Sequence, residues 1–237
     1  MAAVVFAASV AVASETLLSL ATVANEFQAN LFLLLLTMMP GSTADARCSA
    51  LFKTLQTWYS KHPCDSRLDN LVPSMLSGAK GVKLRARGAE TRNLIPFTHE
   101  MALLHLDSNV PLEAAAKQAA VHLNAMYQNL SESSFCAEKL KMHSRLFALQ
   151  LVALEKYTQA THPESQAWKV KPKLHLMQEL AEESFSNPSL VWCYRDEDYG
   201  GTIARLARSR GGPCPVLACS RRVLQTFYAN HDVPKFV

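Results

Sequence analysis

The first 46 residues contain no lysine or arginine. That absence removes the positively charged start that a secretory signal needs, although the apolar run from Ala2 to Ala13 ends on Ala11-Val12-Ala13, a triplet of the signal-peptidase type. The longest later apolar run, Leu31 to Met39, is too short to span a bilayer, and Glu26 blocks its extension backwards. No transmembrane span is expected. Glycine (8 residues) and aromatics (8%) are both scarce, which leaves little of the punctuation that many short strands require. The six cysteines, Cys48, Cys64, Cys136, Cys193, Cys214 and Cys219, are scattered rather than dense. A chain of 237 residues needs no covalent staples, so they read as reduced thiols of an intracellular protein, nuclear or cytoplasmic. No glycine-rich phosphate loop follows a strand, and no nucleophile elbow occurs.

What the chain does have is helical periodicity. Apolar residues make up 49% and charged residues 19%, enough to build a core and too apolar for disorder. A helix runs from a cap at Ser14 or Thr16 to Met39, where Pro40-Gly41 stops it. A second covers Ala44 to Lys61, with Leu51, Phe52, Leu55, Trp58 and Tyr59 on one face. Ser66 to Leu76 holds a shorter apolar set that Pro73 breaks, and the basic stretch from Ser77 to Gly88 reads as a mobile loop. Ala89 to His105 is a helix disturbed at Pro96. Leu112, Ala115, Ala116, Ala119, Leu123, Met126, Tyr127 and Leu130 form an unbroken stripe behind Pro111. Ser131 to Ser134 supplies caps for a longer helix that His162-Pro163 closes, and a short one follows to Phe185.

The expected fold is therefore all-α, an irregular multi-helix bundle with at most one short strand near Trp192, in Leu190 to Tyr194. Residues 1–41 form a loosely attached apolar helical segment, and 42–237 a single helical domain. Within it, 42–165 is the longer helical part and 166–237 the basic part.

Charge is unevenly placed. The chain carries a net +4, and from Gly200 onward Arg205, Arg208, Arg210, Arg221, Arg222 and Lys235 face Asp232 alone. A metal site at His99, Glu100 and His105 is rejected by spacing, because zinc needs two histidines one turn apart and position 103 is leucine. Asp196, Glu197 and Asp198 precede a helix, where they complement its dipole.

Lys171-Pro172-Lys173-Leu174-His175, followed about twenty residues later by an aromatic and acidic cluster ending in Gly200-Gly201, resembles the C-terminal part of Plavaka-like and Kyakuja–Dileera–Zisupton-type transposases. The resemblance covers Trp168 to Gly212. It implies that Glu197, or its neighbours Asp196 and Asp198, matches the last metal-binding carboxylate of an RNase H-like core, which holds Mg²⁺ for phosphodiester chemistry. Lys171, Lys173 and His175 then lie along a nucleic-acid backbone. Such a core also needs several strands and two earlier aspartate motifs, which this sequence lacks. The resemblance thus implies a truncated or domesticated remnant.

The resulting expectation is a transposon-derived, nucleic-acid-associated helical protein without a complete active site. It binds DNA or RNA phosphates through Lys171, Lys173, His175, Arg205, Arg208, Arg221 and Arg222, and needs no cofactor. The alternative is a helical scaffold or interaction protein whose partners are other proteins. A secreted protein, glycosylated at Asn129-Leu130-Ser131, is the third class.

Overall fold

Thr43 has a side-chain oxygen that a helix start can use. It accepts the Ala46 N–H at 3.2 Å and opens helix α2, Ala44–Lys61, the span expected from the periodicity. Leu51, Leu55 and Tyr59 recur every fourth residue and are buried together with Cys48. The structure, a computed structural model, describes residues 20–78, 81–130, 133, 135–191, 221 and 225. It divides into two compact units, Met1–Trp192 and Cys193–Val237. The elements below belong to the first.

Helix α1, described over residues 20–36, has no polar face wide enough to meet water. Val23, Ala24, Phe27, Leu31, Phe32 and Leu35 are buried around its circumference, the signature of a central helix. Residues 20–41 therefore belong to the core of the first unit rather than to a loosely attached segment. The unit boundary falls near residue 192, not at 41. Three amides on this helix are buried too, and buried amides are costly unless bonded. Asn25 Nδ2 donates to Thr91 Oγ1 at 3.1 Å and Gln28 Nε2 to the Thr91 carbonyl at 2.9 Å. Asn30 Oδ1 accepts the Trp168 N–H at 3.0 Å. The helix gives way to a turn at residues 37–40, slightly before the expected stop. Gly41 then takes φ 141°, where a Cβ would stand 2.8 Å from Ala46 Cβ, so only glycine fits between α1 and α2.

Helix α3, Gly88–His105, opens on Arg87, whose N–H and Nε both bond the Glu90 carboxylate at 2.8 and 2.7 Å. It runs unbroken through Pro96, which has no N–H to offer the preceding turn but lies on the exposed side. Helices α4, Pro111–Asn129, and α5, Ala137–Thr161, pack along each other, and α6, Lys173–Glu183, packs on α5. Capping of α5 differs from expectation. The cap position is Cys136, with no side-chain bond of its own, and it is held by Asn129, whose amide bonds both its N–H and its carbonyl at 2.9 and 2.8 Å.

The described residues are all-α apart from one small hairpin. Strands β1, Ser77–Gly78, and β2, Gly81–Val82, pair antiparallel within the stretch expected to be a mobile loop. The hairpin is pinned because Leu84 is fully buried and the Arg85 N–H bonds the Met75 carbonyl at 2.8 Å. The expected strand at Leu190 is corrected in turn. Pro188 fixes its backbone angle and starts a 3-10 turn, Pro188–Val191, and residues 192–194 lie outside the described residues.

Candidate binding cleft

The flank of α2 beside its buried face carries Ala50, Lys53, Thr54, Thr57, Trp58 and Lys61. Helix α3 turns Phe97, Glu100, Met101 and Leu104 toward it at spacings of three and four, which places them on one side of a helix. Met39 and Pro40 close one end. Together these residues line an open cleft of about 760 Å³.

Trp58 forms the floor and is fixed on three sides. Its Nε1 donates to Glu100 Oε2 at 2.9 Å, across 42 residues of sequence. The Phe97 ring meets it edge-on at 5.9 Å, and the His62 ring stacks on it at 4.2 Å and 16°. His62 Nδ1 lies 3.0 Å from the Trp58 carbonyl. A carbonyl only accepts, so that nitrogen carries the proton, and a neutral His62 presents Nε2 as an acceptor. Indole, held by a carboxylate and two rings, is a rigid anchor of the kind that interfaces favour.

The rim is basic. Lys53, Lys61 and His62 are exposed around it, and Glu100, already bonded to Trp58, is the only carboxylate lining it among the described residues. No ion pair among the described residues engages Lys53 or Lys61. Leu104, at 75% exposure, leaves an apolar side chain standing at the lip.

The lysines expected to meet phosphate are placed differently. Trp168 is buried in the left-handed region at φ 57°, packed on Phe27 at 5.8 Å. From it the chain runs against α1. Lys171 Nζ pairs with Glu26 at 2.7 Å, Lys173 Nζ donates to Thr22 Oγ1 at 3.1 Å, and the Val170 N–H bonds Glu155 at 3.0 Å. His175 Nε2 lies 3.1 Å from Glu179 on its own helix. The segment is a strap that fastens α6 to α1. Arg221 is an exposed helical residue. Arg205, Arg208, Arg222 and the carboxylates Asp196, Glu197 and Asp198 lie outside the described residues.

Other reactive side chains lie away from the cleft lining. The Cys48 thiol is buried, and burial, with a smaller push from Asp45, raises its pKa, which keeps it protonated and inert. His99 Nδ1 faces Asn124 Nδ2 at 3.2 Å, and burial holds its pKa below the usual value, partly offset by Glu100. His122 and His143 bring their Nδ1 atoms within 3.3 Å across α4 and α5. Burial, followed by the neighbouring His143 for the first and by Lys139 for the second, lowers both pKa values. Among the described residues no group of three or more potential ligands could hold a metal ion, and no helix is long and apolar enough to cross a membrane.

Sequence reasoning assigned Trp58 to the core and missed the cleft. The available signal was Lys53, Thr57 and Lys61 at four-residue intervals beside it, a polar stripe flanking an aromatic. Compared with known proteins, the chain matches no family model, no curated protein and no solved structure.

Proposed function

We propose that the chain is a helical interaction protein that uses the α2–α3 cleft to hold a partner protein segment bearing an apolar side chain flanked by carboxylates. The observation that carries this reading is the combination on one surface of a fixed indole, an exposed leucine and lysines that form no ion pair among the described residues. Apolar contact supplies affinity in such a cleft, while rim charge selects the partner and speeds encounter. The nucleic-acid reading loses support in its described part, since Lys171 and Lys173 are engaged with α1. The proposal takes the protein to be intracellular: Asn129 is buried, with its amide bonded twice to Cys136 at the start of α5, which leaves no room for a glycan there.

Three labelled probes test this by fluorescence anisotropy at low salt: a Leu/Glu helical peptide, a Leu/Lys counterpart and a generic DNA duplex. The Leu/Glu peptide should bind best, and Leu104→Glu, a change at an exposed position, should weaken it by about tenfold. Preferential binding of the duplex, falling steeply with salt, would replace this reading with the nucleic-acid one.

A further inference from the structure

We propose that His122 and His143 form a Zn²⁺ clamp joining α4 to α5. The two residues lie 21 apart in sequence, one on each helix, and their Nδ1 atoms are 3.3 Å apart. Two nitrogens that each bind a tetrahedral zinc at about 2.05 Å stand roughly 3.3 Å from each other. The helices have therefore already set the spacing of a two-nitrogen site. The ring centroids are 5.5 Å apart and the rings are inclined at 37°; a tilt of each ring by about 35° turns the nitrogen–nitrogen hydrogen bond into tetrahedral convergence on one ion.

Access and chemistry agree with this geometry. Both histidines are half-buried rather than sealed in the core, and the site as proposed takes water for its remaining ligands. Imidazole is an intermediate ligand that suits zinc, copper and nickel. A square-planar ion would need its two adjacent nitrogens closer, at about 2.8 Å, so the observed spacing favours zinc over Cu²⁺. With only two protein ligands the site binds far more weakly than a four-ligand structural site. Lys139, one turn before His143, sets a further limit because its ammonium repels a dication.

The test uses the full chain freed of metal by chelation, with ZnCl₂ as the probe. Calorimetric titration should show one Zn²⁺ per chain, and the thermal midpoint should rise by roughly 3–5 °C at ten times Kd. His122→Ala and His143→Ala should each abolish both effects. Lys139→Glu, at a position that does not touch the core, should tighten binding about fivefold by removing a repulsion and adding an attraction. The inference is overturned if Zn²⁺ neither binds nor stabilises the parent chain, or if binding survives in the histidine variants. Should either histidine variant fail to fold, unchanged affinity in Lys139→Glu overturns it equally.

Discussion

Lys171 and Lys173 on one side of the molecule, and Lys53 and Lys61 on another, are the same residue type put to opposite uses. The first pair is turned against α1, where Lys171 meets Glu26 at 2.7 Å and Lys173 meets Thr22 at 3.1 Å. The second pair stands exposed at the edge of an aromatic cleft, with no ion pair among the described residues. A basic motif in the sequence does not say which use it serves. A lysine paired with a half-buried carboxylate fastens the fold, and a lysine beside an exposed apolar surface is available to a partner.

The largest expected effect breaks the strap. Trp168→Ala removes a buried indole packed on Phe27 and leaves a void against α1, and should cost about 3–5 kcal/mol in urea unfolding. A loss under about 1 kcal/mol would mean that the strap is peripheral. Lys171→Met is smaller. The pair it breaks is partly open to solvent, at 35% and 18% side-chain exposure, so screening limits the loss to about 1 kcal/mol.

How much of this was legible in the sequence depends on how far apart the partners lie. Helix α2 has the bounds that its periodicity implied, because the stripe that defines it is local. Helix α3 continues through Pro96, which the local rule alone would have made a break, because tertiary packing of Leu94, Phe97 and Met101 holds both halves. At residues 190 and 191 the expected strand gives way to a 3-10 turn on a local signal that was present, the proline at 188. Neither site could be read this way. Trp58 and Glu100 are separated by 42 residues and Glu26 and Lys171 by 145, so no spacing rule connects them. The start of the chain, free of basic residues, was correctly read as helical at 20–36, yet it was assigned to the periphery. A mostly apolar helix is equally a peripheral segment or a central one until its neighbours are known.

A smaller effect concerns pH. Burial depresses the His99 pKa in the folded chain, while the unfolded chain titrates near 6.5. The unfolded state therefore binds the proton first as pH falls. The stabilisation is complete above the unfolded pKa and is lost progressively toward the folded one. His99→Gln, which retains an amide toward Asn124, should flatten the fall in stability below about pH 6.5, followed by urea midpoints across pH. An unchanged slope would mean that His99 is not a source of the acid sensitivity. The smallest effect is expected at Arg145 and Glu182, whose paired bonds of 2.6 and 2.8 Å lie in solvent. Arg145→Ala should leave the thermal midpoint unmoved, because exposed pairs are screened.

The contrast between the two lysine pairs is tested most directly by one anisotropy titration with the labelled Leu/Glu peptide on three chains: the parent, Lys53→Glu with Lys61→Glu, and Lys171→Met. Reversing the two rim lysines should weaken binding at least about tenfold while the fold is retained, and Lys171→Met should bind as the parent does. Binding that survives the rim reversal, or that is lost in Lys171→Met while that chain remains folded, would contradict the assignment of the cleft as the working surface and of the strap as structural.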